Sequence, residues 1–206
     1  MMENTIILAS ASPRRRELLA QLGYAFEVIP SQAAEDEVAG DSPQQHVMRL
    51  SRDKACEVAT RDKITGRWVI GSDTIVLRDE VILGKPQNDE EAARMLRSLA
   101  GRSHEVLSGY AVLDRATGEQ RLGVVTTKVC FRALTEAEIS GYIASKEPAD
   151  KAGAYAIQGL GAFMVSRIEG SYSNVVGLPL CELVQALEAL GVPLPLAQFT
   201  KNGTGT

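Results

Sequence analysis

Histidine, cysteine and aromatic residues are scarce in this 206-residue chain, and nowhere is it apolar over a long run. The two histidines, His46 and His104, have no second ligand type near them at metal spacing, so they read as surface or packing residues and histidine-based catalysis is not expected. Cys56, Cys130 and Cys181 are odd in number and far apart, which argues against a disulfide framework or a cysteine-rich zinc site and fits a reducing cytosol. No segment has the length of a membrane span, and no basic-then-apolar signal pattern precedes Ser10, so a cytoplasmic protein without a membrane partner is expected. The net charge of −4 leaves no basic excess to build a broad nucleic-acid face. There is no Walker A pattern, and Gly159-Leu160-Gly161 is not followed by a third glycine at the required spacing, which sets aside P-loop and dinucleotide-binding readings.

What remains is an ordinary globular composition, 45% hydrophobic and 23% charged, long enough for one sizeable domain or for two small lobes around a cleft. Against the acidic background, the stretch from Ile6 to Leu19 stands out. Apolar Ile6 to Ala9 reads as a strand, Ser12 as an N-cap, Pro13 as the first helical residue, and Leu18, Leu19 and Leu22 as one helix face closed by Gly23. Arg14, Arg15 and Arg16 then fall in the first helical turn, where free N–H groups and the macrodipole are already positive. An anion docked there would relieve the mismatch, because N–H groups, serine hydroxyls and guanidinium forks converge on the same oxygens. The alternative is that the three side chains extend into solvent at small cost.

Further along, Phe26 to Pro30 reads as a short strand and Ser31 to Asp41 as an acidic loop holding Glu35, Asp36 and Glu37, carboxylates of a kind usually solvated. Ser42-Pro43 starts a helix with Val47, Leu50, Ala55 and Val58 inward, which leaves Arg49, Arg52 and Lys54 partly on other faces. Trp68 to Leu77 and Val81 to Pro86 form a predicted hairpin around Arg78-Asp79-Glu80. Asp73 lies inside that first strand among Val69, Ile70, Ile75 and Val76. A half-buried carboxylate there needs a metal, a cation or a water-filled cleft, with Lys85 as the nearest candidate cation; otherwise it caps a bulge beside Gly71 and Ser72.

Asn88 to Glu91 resembles a capping box for a helix through Leu99, and Thr135 to Glu138 opens another reaching Ser145. Ser103 to Asp114 and Arg121 to Ala133 are strand-like. Lys146 to Gly161 follows neither period and is rich in small residues that let a ligand approach the backbone, with Lys151 and Gln158 among its few polar groups. Ala162 to Glu169 reads as a strand, Gly170 to Asn174 as a turn, and Leu178-Pro179 as the start of a last helix; a flexible tail is expected over 193–206, after a single domain over 1–192. The order β-α-β-α-β-β-α-β-β-α-β-α, without internal repeat, implies an α/β protein with a mixed sheet. Cations gathered around one acidic residue are what hydrolysis of a phosphate ester requires.

Three motifs read together carry a resemblance. Ala9-Ser10-Ala11-Ser12-Pro13-Arg14-Arg15, then Gly71-Ser72-Asp73-Thr74 with Leu83-Gly84-Lys85-Pro86, then Lys151 to Gly159 (KAGAYAIQG) with Gly170-Ser171-Tyr172 and Val176 to Pro179, resemble the Maf family of nucleoside triphosphate pyrophosphatases over about Ile6 to Gly191. The resemblance implies hydrolysis of a nucleoside triphosphate to monophosphate and diphosphate with a divalent cation, Mg²⁺ or Mn²⁺. It also implies an inosine triphosphatase-like fold: a mixed twisted sheet with flanking helices, as two lobes around a cleft. In it Asp73 matches the proton acceptor, Ser10, Arg15, Lys54 and Lys85 match the lining of the triphosphate, and Glu35 matches a loop carboxylate that would share the metal with Asp73. Arg14, Thr74 and Gln158 match three positions that separate subfamilies; arginine, threonine and glutamine there mark the branch acting on dTTP and UTP, whereas tryptophan, glutamine and glutamate mark the 7-methyl-GTP branch. A nucleotide-sensing regulator of septum formation is the reading from another class. A sensor needs phosphate contacts but no carboxylate poised over the α-phosphate, so Asp73 argues for turnover. A homodimer is compatible with the sequence, which does not specify the oligomeric state.

Overall fold

The computed structural model describes residues 3–36 and 38–195, so Glu37 of the acidic loop and 196–206 of the expected tail lie outside the described residues. Among the described residues seven strands, β1 (Glu3–Leu8), β2 (Phe26–Val28), β3 (Gly66–Arg78), β4 (Val81–Leu83), β5 (Ser103–Asp114), β6 (Gln120–Phe131) and β7 (Val165–Glu169), form one sheet in the order β2-β1-β3-β5-β6-β7, with β4 paired to β3. β1 runs parallel to β2 and β3, whereas β3–β4 and β6–β7 are antiparallel, so the sheet is mixed as expected. Among the described residues six α-helices accompany it: α1 (Pro13–Gln21), α2 (Pro43–Ala59), α3 (Asp89–Leu99), α4 (Glu136–Ala144), α5 (Tyr172–Val176) and α6 (Leu180–Ala189).

The chain divides into two compact units. Of the described residues, the first comprises those within 3–73, 109–124 and 177–195, the second 74–108 and 125–176, so β3, β5 and β6 each contribute residues to both. In the first unit, Ile6, Ile7 and Leu8 are buried in succession, the continuous apolar run of a strand with parallel neighbours on both sides. Ile7, Ala9, Ala55, Val58, Val69 and Ala111 form its core against α2. Two glycines let α2 settle onto the strands. A Cβ on Gly71 would lie 2.1 Å from the Ser51 carbonyl oxygen, and one on Gly109 would lie 2.3 Å from that of Val47. In the second unit the amphipathic face of α3 (Ala92, Met95, Leu96, Leu99) packs with Val106, Val129, Phe131, Ile139 and Tyr142.

Local chemistry sets most boundaries. Ser12, Ser42 and Thr135 cap α1, α2 and α4 as the sequence predicts, the latter two as full capping boxes with Gln45 and Glu138. At α3, Asn88 Oδ1 accepts from Glu91 N, but the Glu91 carboxylate reaches back one residue too far for a capping box, to Gln87 N at 2.7 Å. The β3–β4 hairpin turns through Asp79 and Glu80, both at positive φ. Two expectations need correction. Gly170 to Asn174 is not only a turn, because Ser171 Oγ accepts from Asn174 N and starts α5. The strand expected from Ala162 begins at Val165, because residues Gly159–Met164 form a 3₁₀ turn.

Candidate active site

In the first unit the loop after β1, the middle of α2 and the β3 segment ending at Asp73 supply the polar groups. α2 presents Ser51 and Lys54 on its buried side, three residues apart and therefore on one face. The Ser51 hydroxyl donates to Val47 O at 2.6 Å and accepts from Asp73 N–H at 3.0 Å, pinning the backbone of Asp73 to the helix. Lys54 Nζ then stands 2.6 Å from Asp73 Oδ1 and 2.6 Å from Glu35 Oε1. The Lys54 and Asp73 side chains are only 10% and 13% exposed, whereas Glu35 is 57% exposed, so the inner pair is largely desolvated and the third member opens to water. Lys54 is thus the cation that Asp73 requires, in place of Lys85, and it belongs to the buried face of α2 rather than to a solvated one.

Ser10 and the start of α1 adjoin this group. Arg15 Nη1 donates to Ser10 Oγ at 3.2 Å and to Ser72 O at 2.8 Å, and Nε donates to Gly177 O at 2.8 Å. Ser10 Oγ also accepts from Ser12 N. The guanidinium therefore fastens the α1 corner to the β3 backbone next to Asp73 and to the segment before α6. Burial lowers its pKa, against the attraction of Asp73 and Glu35, while repulsion from Arg14 adds to the lowering. Arg14 and Arg16 follow a different course: their side chains make no hydrogen bond or ion pair among the described residues.

The remaining predicted residues belong to the second unit. Thr74 Oγ1 is 2.8 Å from Ser108 Oγ, which donates to Asn174 O at 3.0 Å; Asn174 Nδ2 donates in turn to Val106 O and Thr127 Oγ1. Lys85 is exposed just after β4, its side chain without a partner among the described residues, and the neighbouring Gly84 O accepts from Gly153 N–H. Gln158 is half-buried at the N-cap of the Gly159–Met164 turn, and its side chain caps nothing. Lys151, read as a polar group of a ligand-facing segment, is instead 11% exposed and bonded to Glu147 O and Asp150 Oδ1. The room beside Gly159 and Gly161 is likewise filled by the protein's own Glu147 carboxylate and Tyr142 hydroxyl. His104 is a packing residue, edge-on to Phe131 and Tyr155, and burial pulls its pKa down to about 4.

The donors that could receive a divalent cation are carboxylate oxygens. Glu35 and Asp73 converge on a single ammonium, so their heads lie close together, and hard oxygen ligands suit Mg²⁺ or Mn²⁺. Among the described residues no three His, Cys, Asp or Glu side chains gather as a metal cage. Two carboxylates completed by substrate phosphates and water are a usual arrangement for Mg²⁺, and the residues present fit it. Two residues that bring α2 onto the strands were not legible as such, Ser51 and Gly109, and Gly71 was legible only as part of its motif and as a bulge candidate, not as the point of contact with the helix. The only sequence signal at Ser51 and Gly109 is a small residue where a larger one would pack.

The family model described as Maf-like protein matches residues 5–190. A dTTP/UTP pyrophosphatase of Syntrophotalea carbinolica is 63% identical over 92% of this chain and 86% of its own length. Another of the same name from Geobacter sulfurreducens is 53% identical over 93% and 99%. A crystal structure of a nucleoside-triphosphatase / dITP/XTP pyrophosphatase from Mycobacterium abscessus aligns with 98% of this chain and 100% of that one, at a TM-score of 0.42 and 17% identity.

Proposed function

This chain belongs to the Maf family, and on that premise we propose that it is a nucleoside triphosphate pyrophosphatase that hydrolyses dTTP and UTP to the monophosphate and diphosphate. The observation that carries the reading is the Asp73–Lys54–Glu35 group beside the arginine-rich start of α1: a largely desolvated carboxylate with cations on the same unit. Asp73 takes the proton from the attacking water. Lys54 holds the carboxylate in one rotamer, and the Ser51 hydroxyl fixes its backbone, so the base is placed before substrate arrives. Ser10, Arg15 and Lys85 receive the triphosphate, Arg15 by way of the corner it braces. With the distal phosphates so held, water attacks the α-phosphorus and diphosphate leaves. A divalent cation held by Glu35 and Asp73 would offset the charge of the triphosphate.

Arg14, Thr74 and Gln158 select the base. A glutamine amide offers one donor and one acceptor, the complement of the imide edge shared by thymine and uracil; a glutamate would offer acceptors only. The free state of all three cysteines accords with a cytoplasmic protein, and among the described residues no helix is long and apolar enough to cross a membrane. A panel of dTTP, UTP, CTP, GTP and 7-methyl-GTP, assayed for diphosphate with and without chelator, tests the proposal. Turnover should be highest on dTTP and UTP and stop with chelator. Preference for 7-methyl-GTP, or no turnover of any nucleotide with Mg²⁺ or Mn²⁺, would overturn it.

A further inference from the structure

Gln158 sits in a segment whose backbone is held on both sides by two side chains that the reaction does not use. Within the second unit, the Tyr142 hydroxyl donates to Glu147 Oε1 at 2.9 Å and accepts from Ala156 N–H at 3.2 Å. The Glu147 carboxylate accepts from Leu160 N–H at 3.0 Å through Oε2 and from Gly161 N–H at 3.1 Å through Oε1. Anchors at 156, 160 and 161 therefore bracket Gln158, whose own side chain has no partner among the described residues.

The fit around these anchors is close. Gly159 has φ +67, and a Cβ there would lie 2.7 Å from Glu147 Oε2; a Cβ on Gly161 would lie 2.4 Å from Ala156 O and 2.7 Å from the Tyr142 hydroxyl. Both glycines are needed so that the carboxylate and the phenol can reach the backbone. Glu147 is itself placed by a short 3₁₀ turn, Glu147–Asp150, whose Pro148 is buried and whose Glu147 carbonyl accepts from Lys151 Nζ. Burial works to raise the Glu147 pKa, but the N–H donors of Gly161 and Leu160, the Tyr142 hydroxyl and the Lys151 charge together bring it below the ordinary value. An ionised carboxylate accepts only, which matches three donors pointing at it.

We propose that Glu147, acting with Tyr142, is a positioning residue for base selection: it fixes the backbone on both sides of Gln158 so that the Gln158 amide meets the imide edge of a thymine or uracil. The proposal rests on the reading of Gln158 as a base-contacting residue. A contact that discriminates through two hydrogen bonds needs its partner held to a fraction of an ångström, and a loop side chain meets that need only if neighbouring groups hold the loop.

The test compares kcat/KM for UTP and CTP, which share sugar and triphosphate and differ at the base edge, in wild type, Glu147→Gln, Gln158→Ala and the double variant. Glu147→Gln keeps the size but turns an acceptor into a donor facing N–H groups. The UTP/CTP preference should fall roughly tenfold in each single variant and no further in the double variant than in Gln158→Ala. A scaffold role alone would lower both substrates equally and leave the ratio unchanged. That result, or a Glu147→Gln effect that multiplies with Gln158→Ala, would overturn the proposal while the reading of Gln158 stands. If Gln158→Ala keeps the wild-type ratio, the reading itself fails and takes the proposal with it. Should Glu147→Gln not fold, Tyr142→Phe removes the shared hydroxyl and carries the same expectation.

Discussion

An ammonium 2.6 Å from each of two carboxylates binds the fate of all three groups together. Removing Lys54 leaves Asp73 as an unpaired carboxylate in a side chain mostly withdrawn from water, which costs on the order of 3 kcal/mol when a buried pair is broken. Lys54→Ala should therefore lower the urea midpoint, and Lys54→Ala with Asp73→Asn should recover part of the loss, because no uncompensated charge remains. Asp73→Asn alone preserves the shape and removes the basic oxygen; turnover should fall at least ~100-fold with folding retained. Near-parental turnover in the folded variant would remove Asp73 from the chemistry. Asp73 was legible in the sequence because an acid among β-branched neighbours is locally anomalous. Its partner was not, since choosing Lys54 over Lys85 requires knowing that α2 lies on β3.

That contact is set at the level of the element. The backbone of α2 meets β3 at Gly71 with no room for a methyl group, the nearest atoms being the Ser51 carbonyl oxygen at 2.1 Å and the Ala55 nitrogen at 2.7 Å. Backbone on both sides cannot turn aside as a side chain can, so Gly71→Ala must push the helix off the strand. Overpacking of this kind costs ~1–3 kcal/mol or more, and here it also moves Lys54 and Ser51 away from Asp73. The variant should lose activity well beyond its loss of stability, whereas Gly84→Ala, with open space around its Cβ, should keep its stability. A Gly71→Ala protein with parental melting and turnover would show that α2 does not position the site. Caps at Ser12, Ser42 and Thr135 could be read from the sequence because each is a matter of three or four neighbouring residues. The turn over Gly159–Met164 could not, because the group that organises it, Glu147, lies twelve residues before its first residue and comes from another turn.

At the scale of the whole molecule, each unit has its own apolar core, and the second buries an ionisable group at its centre. His104 is 4% exposed, its Nε2 is 2.7 Å from the Tyr155 hydroxyl, and its Nδ1 has no partner among the described residues. Burial lowers its pKa from 6.5 to about 4, so the unfolded chain takes up a proton that the folded unit refuses. Its stabilisation is full above pH 6.5 and is lost as pH falls toward 4, by an amount on the order of 3 kcal/mol. Asp114, held near 2 chiefly by its hydrogen bonds from Arg67, adds a further loss below about pH 4. His104→Gln should flatten the limb between pH 6.5 and 4 in urea titrations, while an unchanged slope would show that His104 is not the group responsible. The mixed sheet was legible from the alternation of strand and helix patterns and two lobes were implied by the resemblance; where the two units divide was not legible, because β3, β5 and β6 each contribute residues to both and no composition shift marks the crossing. On the proposed mechanism Asp73 directs water at the α-phosphorus of a pyrimidine nucleoside triphosphate. Hydrolysis of UTP in oxygen-18-labelled water, followed by mass spectrometry of the products, should then place one labelled oxygen in the monophosphate and none in the diphosphate; label in the diphosphate or in released orthophosphate would put the attack at another phosphorus.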